Sequence, residues 1–195
     1  MKRYLASTEY INWQDARVLA QARTLAEGAP NSNDIIHNCF NFVRDEIKHS
    51  WDYKLNPVTN KASDVLKYGT GYCYAKSHLL AALLRANDIP AGLCYQRLTI
   101  SDVPPFCLHG LNAVYLDNIG WHKIDARGNN GRVATQFSPP IESLAYTATT
   151  PGEFDLPEIY SEPLPVVIDA LQQHSTYQAL SAKLPDIKPY RLKLN

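Results

Sequence analysis

The chain has 195 residues; 19 Lys and Arg balance 19 Asp and Glu, and 45% of residues are hydrophobic. These are globular values that exclude disorder and fibres, and a zero net charge gives no electrostatic reason to bind nucleic acid or an anionic membrane. The length favours one sizeable domain over 1–195, and no run approaches the roughly 18 apolar residues of a membrane span. The first ten residues carry charge with no apolar stretch behind them, which is not a signal-peptide pattern, so a cytoplasmic location is expected. In a reducing compartment Cys39, Cys73, Cys94 and Cys107 are expected to be free thiols.

Val18, Leu19, Ala22, Leu25 and Ala26 recur at helical spacing, which predicts a helix within 11–27 that Gly28 stops. Asn31, Ser32, Asn33 and Asp34 offer caps for a second helix with the stripe Ile36, Phe40, Val43 and Ile47. Cys39 sits beside that stripe as a small core residue, and His49 follows as a C-terminal cap. Ser63-Asp64 cap a short helix ending before Gly69. Gly69 and Gly71 then mark a tight loop into a strongly apolar helix of about four turns, which begins at Cys73 and stops near Asn87-Asp88, ahead of Pro90.

Beyond Pro90 the period falls towards two. Leu93, Tyr95, Arg97 and Thr99 alternate with Cys94, Gln96, Leu98 and Ile100, and 109–116 and 121–126 form two strands joined at 117–120. Helices first and antiparallel strands after make an α+β fold. Eight of the 13 prolines lie in 139–195, so 137–163 is expected to be an irregular arm, either a lid over the cleft or a strap on the far side of the sheet. A last helical segment spans about 165–184, restarted by Ser175 with Gln178 in capping-box position.

The sharpest chemical feature is Cys73, a thiol where a glycine loop meets a helix N-terminus. Unpaired backbone N–H groups and the helix dipole there favour thiolate, and the same N–H groups can hold an oxyanion. A thiol nucleophile needs a base, and the base an orienting group. His78 lies about 140° around the helix axis from Cys73, while His37 and His174 sit on surface-type helices. That leaves His109 and His122 of the hairpin. Asp125 shares its strand face with Trp121 and Lys123, not with His122. His109 shares that face if the hairpin loop is odd in length or the strands are bulged. Cys73, His109 and Asp125 are then the only coherent triad.

The stretches Ala62-Ser63-Asp64-Val65-Leu66, Gly69-Thr70-Gly71-Tyr72-Cys73 and 79–91 resemble the core motif of the transglutaminase-like superfamily. His109-Gly110-Leu111-Asn112-Ala113-Val114-Tyr115 and Gly120-Trp121-His122-Lys123-Ile124-Asp125 resemble its second and third motifs, so that about 40–126 is covered. The resemblance implies a papain-like α+β fold with the nucleophile helix on an antiparallel sheet, and a catalytic triad at Cys73, His109 and Asp125. Asp88, Leu111 and Tyr74 depart from the family pattern without touching the triad. Trp51 either lends its indole N–H to an oxyanion, as a tryptophan does in some transglutaminases, or is a core or rim aromatic. Tyr72 and Tyr74 either line the cleft or belong to the core.

No cofactor is expected. Cys94, Cys107, His109 and His122 lack the paired spacing of a zinc site, Glu153, Asp155 and Glu158 are too sparse for calcium, and Gly69-x-Gly71 is no phosphate loop. The expectation is a cysteine peptidase, amidase or transglutaminase-like acyltransferase acting on a peptide or protein amide. Its rivals are a silent binding module of the same fold and a coenzyme A-dependent acyltransferase of the arylamine acetyltransferase type.

Overall fold

The computed structural model describes residues 1–187. The helical part comprises α1 (Ala16–Ala26), α2 (Ser32–Asn41), α3 (Ser50–Tyr53), α4 (Ala62–Tyr68) and α5 (Cys73–Arg85), with β1 (Lys48–His49) and β2 (Thr70–Gly71) paired in parallel between them. Then come β3 (Ala91–Thr99), β4 (Phe106–Leu116), β5 (Gly120–Ile124), the hairpin β6 (Gln136–Ser138) and β7 (Ile141–Ser143), and β8 (Phe154–Asp155). Two helices follow, α6 (Pro165–Gln173) and α7 (Tyr177–Ser181). The main sheet runs β5-β4-β3-β8, antiparallel throughout.

Local chemistry sets the boundaries. Asp15 accepts from the Arg17 N–H and starts α1 later than the periodicity predicts. Asn31 caps α2 as expected, but the helix widens at Phe42–Glu46 into a π-turn, so the stripe Ile36, Phe40, Val43 and Ile47 stays buried although the α-helix has ended. His49 therefore does not cap this helix; it lies in β1. Ser63 is capped from a distance, its N–H donating to Asn12 Oδ1 (3.1 Å) while Asn12 Nδ2 donates to its Oγ (2.8 Å). Gly69 ends α4 at φ 64°, a left-handed turn cheap only for glycine. The final restart is capped by Thr176, which accepts from Ala179 N–H, not by Ser175, so Gln178 is not in a capping box.

Every residue of α5 is buried, polar ones included. Arg85 at its end donates to the carbonyls of Ala6, Ala91 and Ser161, which fastens the N-terminal segment, β3 and the arm to one guanidinium. The leucines of α5 pack on one sheet face with Leu93, Tyr95, Leu108, Val114 and Leu116. The opposite face holds Cys94, Leu111 and Ala113 beneath Trp121, Leu144 and Ile159. The arm is thus not irregular: it carries the β6–β7 hairpin, adds β8 beside β3, and exchanges two backbone hydrogen bonds between Tyr160 and Leu93 (2.8 Å each).

Candidate active site

Leu116 pairs with Gly120, so three residues turn the hairpin and the loop is odd. Register then puts His109 on the face of Asp125, away from α5, and leaves His122 on the α5 side, where it packs against Phe137. The ladder between β4 and β5 ends at Asn112 opposite Ile124, and beyond that point no strand pairs with this edge of β4, where the Leu108 N–H donates to the Pro185 carbonyl at 2.8 Å. The N-terminus of α5 slots into this gap, and the Gly110 N–H donates to Cys73 Sγ at 3.5 Å. The thiol meets His109 around an unpaired sheet edge, which reconciles a cysteine on one side of the sheet with a histidine on the other.

His109 Nε2 lies 2.7 Å from Asp125 Oδ2, and the ring lines the same cleft as the Cys73 thiol. Asp125 is fully buried and accepts from the N–H groups of Arg127 (3.1 Å) and Ala145 (3.1 Å). Burial by itself raises the Cys73 thiol, but the charge of His109, with His49 also close by, outweighs it and brings the thiol well below its ordinary value. Burial likewise disfavours a charged His109, yet Asp125 and Cys73 hold it protonated far above an ordinary imidazole. Asp125 is driven down against its burial by His109 and the two N–H groups. Both shifts run in the direction of a thiolate beside an imidazolium. The other three thiols, lacking such partners, are pushed up to about 12 by burial.

A cleft of about 430 Å³ opens over this group. Trp51 stands at its rim, 36% exposed and edge-on to Tyr72 at 6.5 Å. Tyr72 and Tyr74 border it with almost wholly buried rings: Tyr72 OH donates to the Tyr177 carbonyl (2.7 Å) and Tyr74 OH to that of Leu108. The arm supplies another wall. Tyr146 meets the His109 ring edge-on at 4.9 Å while neighbouring Ala145 holds Asp125, so the arm is at once a strap on the sheet and a wall of the cleft.

Two residues escaped the sequence reasoning. His49, read as a helix cap, faces Cys73 from β1, and the only hint was its place just after a helical stripe. Lys76, one turn past the nucleophile, is buried and donates to the carbonyls of Ile47 and Arg44, tying α5 to the start of β1; burial lowers its ammonium to about 7. The residues weighed for metals are not gathered: His109 and His122 lie on opposite sheet faces, and no cluster of three ligating side chains occurs among the described residues. No helix among them is long and apolar enough to cross a membrane.

Comparison with known proteins bears on the same segments. A candidate cysteine protease from Cytophaga hutchinsonii superposes with a TM-score of 0.51 at 20% identity, over 64% of this chain and 40% of its own. The periplasmic domain of TgpA from Pseudomonas aeruginosa gives 0.48 at 19% identity, over 63% and 45%. The matched region is less than half of either of those chains, and the likeness to the Cytophaga protein is one of fold. No curated protein matches the sequence. The family model of the transglutaminase-like superfamily matches residues 19–126, more than half of the chain and all three motifs around Cys73, His109 and Asp125. The chain belongs to the transglutaminase-like superfamily.

Proposed function

We propose that the protein is a cysteine-dependent acyl-transfer enzyme that opens an amide or peptide bond, with Cys73, His109 and Asp125 as its catalytic triad. The observation that carries this reading is a buried thiol at a helix N-terminus, sharing a cleft with a histidine that a carboxylate holds at 2.7 Å. The Cys73 thiolate attacks the carbonyl carbon, and the C=O pair moves onto oxygen near the first N–H groups of α5. His109 gives its proton to the leaving nitrogen as the C–N bond breaks, leaving a thioester on Cys73. Water or an amine then attacks the thioester, His109 takes its proton, and Cys73 departs as thiolate. Asp125 keeps the ring oriented and its charge balanced throughout.

Water is the acceptor we assign, which makes the enzyme a peptidase or amidase. The test is incubation with a peptide library, with and without a primary amine, followed by mass spectrometry of products and of the Cys73 peptide. Shortened peptides in both arms support hydrolysis, and amine-tagged products support transamidation. A chain that cleaves nothing and never carries an acyl group on Cys73 supports the silent binding module instead.

A further inference from the structure

β1 is only two residues long, yet its parallel register places His49 opposite Gly71, two residues before the nucleophile. The ring is 6% exposed and edge-on to Tyr72 at 5.6 Å. Its Nδ1 points at Asp52, 3.7 Å from Oδ1, with no hydrogen-bond partner, while the ring also borders the cleft that Cys73 lines. Asp52 is gripped by Arg127 through two bonds (2.7 and 3.0 Å) and by Asn130 Nδ2 (3.1 Å). Against its own burial, the neighbouring His49 ring and the two bonds from Arg127 hold this carboxylate far below the usual range. The triad uses none of these groups. The ring thus stands with Nδ1 towards a carboxylate and its other edge free to serve the cleft that Cys73 lines.

We propose that His49 is a fourth catalytic residue, whose Nε2–H donates to the oxyanion formed when Cys73 attacks the substrate carbonyl, with Asp52 and Arg127 as its positioning residues. The inference rests on the acyl-transfer reading above. The oxygen and the leaving nitrogen occupy different corners of the tetrahedral carbon, so two separate donors are needed. His109 on β4 serves the nitrogen, and His49, from the separate β1–β2 pair, serves the oxygen. The Nε2 proton stays on His49: the C=O pair moves to oxygen, returns as the C–N bond breaks, and His109 alone transfers a proton.

The experiment uses the full chain and two probes of Cys73 at pH 8. p-Nitrophenyl acetate acylates through an oxyanion, and iodoacetamide alkylates without one. His49→Phe, which keeps a ring but no donor, should slow acylation by about 10²–10³-fold, the loss typical of one oxyanion donor. His49→Gln, with an amide N–H of similar reach, should recover at least about tenfold of it, and Asp52→Asn should fall between the two. Alkylation should change by less than about threefold in each, since the thiol remains ionised at this pH. Should His49→Phe unfold in a thermal melt, His49→Ala takes its place in the comparison. Acylation and alkylation falling together, or neither falling, overturns the assignment. A wild type that never carries an acetyl group on Cys73 overturns the acyl-transfer reading itself, and the role of His49 with it.

Discussion

His109 Nε2 and Asp125 Oδ2 meet at 2.7 Å inside the protein, and the other bonds of the carboxylate come from the N–H groups of Arg127 and Ala145. Nε2 therefore donates to Asp125, and Nδ1 is the nitrogen left for the thiol. Asp125→Asn keeps the volume but lets an NH₂ face Nε2, which favours the wrong tautomer. The change costs about 10⁴-fold in a serine-protease triad; here about 10²–10³-fold is expected, because a thiol at a helix N-terminus ionises partly unaided. His122→Ala makes the contrast: its ring lies on the other face against Phe137, so it should lower the melting temperature, by about 1–2 kcal/mol of stability, and leave turnover alone. A turnover assay with a melt for each variant decides; an inactive His122→Ala would break the triad.

What the sequence made legible, and what it hid, divides by range of interaction. Strand parity set His122 apart from Asp125 and left His109 conditional on an odd hairpin loop, which the three-residue turn between Leu116 and Gly120 supplies. The stripe through Ile36, Phe40, Val43 and Ile47 foretold burial correctly but not the π-turn, since both helix types keep those residues inward. His49 was misread because a two-residue parallel strand has no periodicity, and its partner Gly71 is 22 residues away. Asn12 capping Ser63, and Ala145 bonding Asp125, are likewise tertiary facts with no local signal. The arm misled for a related reason: prolines argue against regular structure, yet three short strands fit between them.

Selective alkylation follows from the four thiols. Cys39, Cys94 and Cys107 are pushed up to about 12 by burial, while Cys73 is held down by His109 and His49 against the same effect. Limiting iodoacetamide at pH 6, with peptide mapping, should label Cys73 at least about tenfold faster than any other cysteine. Cys107, only partly buried, is the informative competitor. Labelling there first would deny Cys73 its thiolate.

The rate should follow a broad bell in pH. The working state is thiolate with imidazolium, so the acid limb belongs to Cys73 and the alkaline limb to His109. The thiol value is lowered, so activity is lost on acidification only after pH falls well below the ordinary thiol range. The imidazole value is raised by Asp125 and Cys73 against its burial, so activity persists well above the ordinary imidazole range before it is lost. Asp125→Asn removes one source of that rise and should move the alkaline limb to lower pH. Profiles of kcat/KM from pH 4 to 11 for both proteins check the signs; an alkaline limb that does not move would detach Asp125 from His109.

Gly110 has no side chain because the start of α5 occupies its place. A Cβ there would lie 3.0 Å from Tyr74 Cδ1, 3.1 Å from its Cα and 3.2 Å from its N. Tyr74 cannot swing aside: its ring is 1% exposed and its hydroxyl is tied to the Leu108 carbonyl. The backbone must give instead, and what moves is the first turn of α5, with the Cys73 Sγ that accepts from the Gly110 N–H at 3.5 Å. Gly110→Ala should therefore cost about 1–3 kcal/mol through overpacking and lower turnover by about 10–100-fold through misplacement of the thiol. Gly120→Ala is the control. Its φ of 86° strains any L side chain by about 1–2 kcal/mol, but nothing lies near its Cβ and the site is remote. Both variants should melt earlier, yet only Gly110→Ala should lose activity at a temperature where both are fully folded. Equal activities in the two would mean that the close approach of β4 to α5 serves packing alone.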